Sequence, residues 1–529
     1  MQDGLQNLTD ALDAYLSKGD GEFGPITPNT TAFSIALYSI DESNSTKPFI
    51  YEYHHATEKV PVVDANSVYQ VGDLTTLFTT WLFLLEAGEE YWTDPVSKWV
   101  PELRSDTSKT KTIGRVDWNS VTFGDLAAHL GGIGQYSPNQ KALDPELAAL
   151  VQGYGNDTAS PCERGSENCD RAEFLSYFNR HAPVFSPANT PIFSNAGFII
   201  LAYALETITG RSFIEMLTTS IIKPLNMTST SLFQASTNHT IIPSDPSTSG
   251  WSGPLEIEAA FNGLYSSTAD ISAALRAIHS SSFLDPAVTN RWLKPVTYTS
   301  NRVNSVGRPW EIYSLTVNGD SPVIPVYQVR GNIGFYSSHV GLVPDYGVGF
   351  VVLSADSEKN PDLNAYADLI SVALIPALEE NAIVQASQVF SGTYRAKVED
   401  KLNETVSISI AQATDSSPGM ALANFTSGSQ DIRAAYARLL DIEPLNLSLR
   451  LYPTDLVEET EQGVKMAFRA VAQDMCELAD AGTPTCDTWR YVDRLQFNGA
   501  ALDEFVFELK EDEVLGVEIN ALGLQLTKE

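Results

Sequence analysis

Tyr69-Gln70-Val71-Gly72-Asp73-Leu74-Thr75-Thr76-Leu77-Phe78-Thr79 is the stretch on which the fold turns. An aspartate follows a glycine, and the apolar run behind it predicts a central helix over 73–85. Upstream, residues 5–16 have the spacing of an amphipathic helix, and the β-rich runs 33–40 and 49–53 read as a first hairpin. Downstream, helices are expected over 198–207 and over 270–279, the second opened by Ser266-Ser267-Thr268. Residues 323–354 hold three β-rich runs, with breaks expected at Gly331-Asn332 and at Pro344-Asp345-Tyr346-Gly347, and a closing helix is expected over 361–378. From about residue 385 onward short alternating runs dominate, which reads as a separate all-β domain, a barrel or a sandwich.

Composition narrows the class. The chain has 529 residues, 43% of them hydrophobic and 10% aromatic, as suits a globular protein with a large core. A net charge of −33 opposes binding to nucleic acid or to anionic membrane surfaces. No apolar run approaches the ~20 residues that a membrane-spanning helix needs. The cysteines fall in two close pairs, Cys162 with Cys169 and Cys476 with Cys486, each across a polar, loop-like interval that a short disulfide can close. Histidines are too few, at seven, to suggest a metal centre, and no phosphate-cradling loop or Gly-x-Ser-x-Gly elbow occurs, so neither metal nor cofactor is expected. Nine Asn-x-Ser/Thr sequons, paired cysteines and an acidic surface together lead to the expectation of a secreted glycoprotein.

The opening stretch resembles the nucleophile segment of the serine β-lactamase and penicillin-binding-protein superfamily, which reads roughly aromatic-x-Ile/Val-Gly-Ser-x-x-Lys. Four more segments, in family order, carry the same resemblance: 88–103 (GEEYWTDPVSKWVPEL), 121–133 (VTFGDLAAHLGGI), 193–210 (FSNAGFIILAYALETITG) and 223–231 (KPLNMTSTS). Residues 331–355 resemble the strand pair that bears the family's third motif. Phe390-Ser391-Gly392-Thr393-Tyr394 resembles the start of accessory C-terminal domains on secreted fungal members. The resemblance implies an α/β (α+β) fold: a β-lactamase/transpeptidase-like antiparallel sheet flanked by helices, an all-helical lobe, and a β-rich C-terminal domain. The expected divisions are 1–30 for an N-terminal extension, 31–384 for the β-lactamase-like domain and 385–529 for the accessory domain.

The departures from that family are as consistent as the matches. Asp73 stands at the serine, Thr76 at the lysine, Phe193 at the tyrosine of the second motif and Val329 at the lysine of the third, Val329-Arg330-Gly331. Without a nucleophile and its bases an acyl-enzyme cannot form. Arg330 restores a positive charge one residue along, to bind a carboxylate or to sit in solvent, but neighbouring strand residues face opposite sides. Asp73 has two readings: a helix N-cap, or a desolvated carboxylate that transfers protons. Thr76 fills the lysine's space, or with Thr75 donates hydrogen bonds to a ligand carbonyl. Asn195 orients a ligand or bonds nearby backbone, and His129 is read as structural. Ser194 and Asn332 complete the candidate pocket with Phe193, Val329 and Arg330. The expected ligand is a small, largely apolar organic molecule. Three functions stay open: an enzyme of cyclase or isomerase type without a covalent intermediate, an inactive binding or scaffold protein, and residual hydrolysis by another route.

Overall fold

The computed structural model describes residues 2–40, 49–104, 113–136, 170–233, 239–251, 256–317, 322–397, 405–413, 418–461, 463–475, 488–511 and 513–529. Cys162, Cys169, Cys476 and Cys486 lie outside the described residues. The chain divides into two compact units, Gln2–Leu315 with Val323–Leu374, and Thr316–Pro322 with Ile375–Glu529.

The first unit is built on an eight-stranded antiparallel sheet. In chain order its strands are β1 (Thr31–Ser39), β2 (Tyr51–His55), β3 (Thr297–Tyr298), β4 (Asn304–Val306), β5 (Glu311–Leu315), β6 (Ile324–Ile333), β7 (Tyr336–Val343) and β8 (Val348–Asp356). In space they run β2-β1-β8-β7-β6-β5-β4-β3. Strands β7 and β8 are buried at every position rather than at alternate ones, the mark of a sheet covered on both faces. Alternation along β1 shows what covers it. The Phe33 ring meets Tyr366 of the helix Asn364–Phe390 at 4.8 Å, whereas Tyr38 meets His279 of the helix Thr268–His279 on the other face.

The helical lobe centres on α1 (Thr75–Glu86) and α2 (Ala196–Thr209), which pack together with every residue from Thr75 to Leu84 buried. A helix apolar on all sides is stable only when surrounded, so α1 needs no amphipathic stripe. Gly210, in the left-handed region at φ +73°, ends α2.

One junction positions everything that follows. Residues Gly72–Leu74 form a single 3-10 turn before α1, and this turn lies against β6. A Cβ on Gly331 would stand 2.2 Å from the Val71 carbonyl oxygen and 2.5 Å from the Leu74 nitrogen. A Cβ on Gly72, itself at φ +55°, would stand 2.8 Å from the Asn332 backbone. Two glycines therefore let two backbones touch, and Ser338 Oγ donates to the Val71 carbonyl at 2.7 Å from the next strand.

The sequence expectations need three corrections. The break expected at Gly331-Asn332 is not there: β6 runs through both to Ile333, and the turn comes at Gly334, at φ +56°. Gly331 serves close approach rather than a bend. The closing helix runs to Phe390 with Pro376 inside it, well past the expected end at 378. The second strand begins at Tyr51 rather than at 49.

The second unit is an antiparallel barrel. Eight strands run from Thr405–Ala411 through Gly392–Lys397, Leu524–Lys528, Glu513–Ile519, Glu504–Lys510, Gly463–Asp474 and Leu447–Thr460 to Met420–Ser427, which pairs back with the first. Closure leaves no unpaired edge in that ring. Tyr394, Ile408, Phe505, Phe507, Val517 and Leu526 fill its interior.

The Gly72–Gly331 approach makes a prediction. Gly331→Ala sets a methyl group into backbone, not into a side chain that can swing away, and should cost about 1–3 kcal/mol or more. Gly114→Ala, with no atom of the described residues within 4 Å of the new Cβ, should leave the melting temperature unchanged. Equal melting temperatures for the two variants would contradict the packing described.

Candidate active site

Asp73 sits in the single turn before α1 and is partly buried, opening on a cavity of about 360 Å³. Its side chain does not cap the helix: Val71 and Leu74 hold the N-cap positions, and neither turn has a side-chain capping bond. The backbone N–H groups of Asn332 and of Asp73 itself lie beside its carboxylate and favour the charged form. Two amides beside one anionic group are the donor pair of an oxyanion-hole arrangement, and here the group they face is a carboxylate of the chain itself.

The charge balance at Asp73 is unusual. Crowding by protein atoms raises its pKa, the two amides pull it back, and the nearby charge of Glu258 pushes it up again, to about 7. Glu258 is fully buried at the end of a 3-10 turn that runs into the short helix Ala259–Asn262, which packs on the Asp73 turn and on α1.

The remaining candidates divide into those that line this cavity and those that do not. Asp73, Phe193, Asn195 and Asn332 line it. Asn195 is engaged by the backbone of Tyr136: its Oδ1 accepts from the Tyr136 N–H and its Nδ2 donates to the Tyr136 carbonyl, each at 2.8 Å. Asn332 offers its N–H to Asp73, while its Oδ1 accepts from Ser337 Oγ at 2.7 Å. Phe193 is 40% exposed and stacks on His129 with 4.9 Å between ring centres. His129 accepts the Ser194 N–H at Nδ1, so its proton lies on Nε2, and burial lowers its pKa to about 4.

Thr75, Thr76, Ser194, Val329 and Arg330 do not line the cavity. Thr75 Oγ1 donates to the Gly72 carbonyl at 2.8 Å, and Thr76 Oγ1 donates to the Asp73 carbonyl at 2.7 Å. Ser194 Oγ donates to the Gly134 carbonyl at 2.9 Å. Val329 is buried in the core, and Arg330, on the opposite side of β6, pairs with Glu311 at 2.5 Å. Gln135, Tyr136, Ser247, Thr248, Phe261 and Asn262 also line the cavity, and sequence reading did not select them. Other concavities, about 400 Å³ beside Tyr203 and about 910 Å³ on the barrel, have charges spent on local pairs such as Arg171–Glu102 and Arg395–Glu529.

Comparison with known proteins agrees with this fold. A family model described as Beta-lactamase matches residues 47–375, and one described as "Beta-lactamase-like-like, C-terminal domain" matches residues 382–529. The chain is 28% identical to a beta-lactamase-like protein of Arthroderma benhamiae over 555 aligned positions, covering 98% of this chain and 91% of that one. It is 23% identical to a protein of Cochliobolus lunatus described as a probable hydrolase, covering 92% and 84%. Among solved structures, an octameric penicillin-binding protein homologue from Pyrococcus abyssi aligns with a TM-score of 0.50, 16% identity and 99% of both chains. A class C beta-lactamase aligns with a TM-score of 0.50, 15% identity, 72% of this chain and 98% of that one. These two likenesses concern the fold alone.

The raised pKa of Asp73 has a consequence for stability. Between the unfolded value of 3.8 and the folded value of about 7, the native state holds a proton that the unfolded chain has lost. This contribution is therefore fully present below the unfolded value and disappears as pH rises through the folded one. The melting temperature of the wild type minus that of Asp73→Asn should fall as pH rises from about 4 to about 7. A difference that stays flat, or rises, would contradict the assignment.

Proposed function

We propose, for a chain that belongs to the beta-lactamase family, that the inherited cavity now carries out proton transfer on a small, largely apolar molecule without a covalent intermediate. The family's fold is that of serine hydrolases, and the relatives are named beta-lactamase-like protein or probable hydrolase. The observation that carries the finer reading is the Asp73 carboxylate held between the N–H groups of residues 73 and 332. Those donors are the ones an acyl-transfer oxyanion would need in this geometry, and the side chain already uses them. A carboxyl group that titrates near neutrality is suited both to donate and to accept a proton.

The reaction class that fits is isomerisation or cyclisation. In the first, ionised Asp73 takes a proton from carbon next to a carbonyl, and the resulting acid returns it to another atom of the same molecule, so no bond to the enzyme forms. In the second, protonated Asp73 donates to a carbonyl or alkene while a second group of the ligand closes on it, and the proton lost from the closed product restores the acid. Phe193 and Phe261 supply flat apolar surface against which such a molecule can be held, and positioning alone can lower a barrier substantially.

A second reading, a binding protein without turnover, is favoured by one observation. The hydroxyls of Thr75, Thr76 and Ser194 and the amide of Asn195 are engaged with backbone, so Asp73 alone among the candidates carries titratable chemistry to the cavity. The same bonds weigh against hydrolysis with Ser194 as nucleophile. We further propose a secreted glycoprotein, on its sequons and paired cysteines.

A test needs no knowledge of the native substrate. In D2O, small enolisable ketones should exchange their α-protons faster with wild type than with Asp73→Asn, by roughly 10²-fold or more for a ketone that fits, as followed by proton NMR. A fluorescent penicillin should leave the intact mass unchanged. Equal exchange by both proteins across the series would favour the binding-protein reading, and a stoichiometric penicilloyl adduct would overturn both.

A further inference from the structure

We infer that the ligand of the Asp73 cavity is an uncharged molecule carrying carbonyl, hydroxyl or amide groups, and that the site discriminates against carboxylates. This rests on the reading of the cavity as the functional site, and it names the substrate class that the cavity takes.

Charge carries the inference. Among the described residues that line the cavity there is no lysine, arginine or histidine. The one cation nearby in sequence, Arg330, points to the other side of β6 and is paired with Glu311. His129, behind Phe193, is neutral at any pH above its lowered value of about 4. A carboxylate ligand would therefore find no counter-charge among the described residues of the lining. It would also lie beside Asp73, whose charge is already opposed by that of buried Glu258. Like charges a few ångströms apart in a partly desolvated site repel strongly. The two backbone N–H groups that would otherwise receive a ligand anion already face the Asp73 carboxylate.

Two features favour a neutral ligand over a cationic one. The Asp73 carboxyl retains its proton over much of the range below neutrality, and in that form it offers an ammonium ion no charge. The other polar side chains that face the cavity, among them Gln135, Thr248 and Asn262, are amides and hydroxyls, which match hydroxyl and carbonyl groups. Asn262 has spare capacity: its Oδ1 is buried without a hydrogen-bond partner. Phe193, Phe261 and Ile333 supply the apolar walls.

The test uses three probes on one skeleton: 2-naphthoate, methyl 2-naphthoate and 2-naphthylmethylammonium. Binding to the full chain is measured by saturation-transfer NMR titration at pH 6. The ester should bind at least 10-fold more tightly than the naphthoate and more tightly than the ammonium. Phe193→Ala, at a partly exposed ring, should weaken the ester, which places it in this cavity. Arg330→Ala should leave all three affinities within 2-fold. Repeated at pH 8, where Asp73 is ionised, the titration of Asp73→Asn should raise the naphthoate's affinity relative to the ester's by at least 3-fold. A naphthoate or ammonium that binds as tightly as the ester, or an ester that fails to bind or ignores Phe193→Ala, would overturn the inference. Loss of proton exchange in every protein with the ester preference intact would sink the catalytic reading alone.

Discussion

The contact between the turn at Gly72 and the strand at Gly331 is the constraint on which this molecule depends. A Cβ at either position would enter the other segment's backbone, to 2.8 Å at Gly72 and 2.2 Å at Gly331. Without side chains there, the turn before α1 lies against β6, and the N–H of Asn332 lies beside the carboxylate of Asp73. Sheet and helical lobe are thus joined where the cavity opens. The apolar surface of α1, buried on every side, holds the turn in place.

Electrostatics at that junction separates this chain from the chemistry its fold usually supports. A pair of backbone donors stabilises negative charge that develops during acyl transfer. Here a side-chain carboxyl group faces the pair, and the nearby charge of Glu258 disfavours its ionisation. The compromise between burial and a like charge on one side and the amide donors on the other is a carboxyl group whose proton comes and goes near neutral pH. The changes at positions 76, 193 and 329 fit the same picture, since each puts an uncharged side chain where a titratable one would serve an acyl-enzyme. Thr76 is absorbed into the helix by its bond to the Asp73 carbonyl, and Val329 into the core.

Much of the fold was legible because its signals are local. The motif order identified the β-lactamase-like domain, and alternating runs after residue 385 identified an all-β region that closes into a barrel. Strand alternation alone placed Arg330 opposite Val329, and the Arg330–Glu311 pair lies on that opposite side. What was not legible depends on distant segments. Glu258, Phe261 and Asn262 reach the Asp73 turn only through tertiary packing of their short helix. The clamp between Asn195 and the Tyr136 backbone joins positions 59 residues apart. Gly331 was misread as a strand break, because a glycine's tolerance for turning and its tolerance for close contact look the same in a sequence. The capping reading of Asp73 followed from propensity, but the N-cap positions fall to Val71 and Leu74, and the Asp73 carboxyl lies beside the Asn332 backbone instead.

The central claim is that Asp73 holds its proton near neutrality in a cradle of two amides, and its own titration tests this most directly. Protein labelled with ¹³C at the aspartate side-chain carboxyl can be followed by NMR across pH, with the Asp73→Asn spectrum subtracted. The account predicts one resonance, missing from the variant, that titrates with a midpoint of about 7. If the resonance lost in Asp73→Asn instead titrates near the ordinary aspartate value of about 4, the carboxyl group is solvated and the account is wrong.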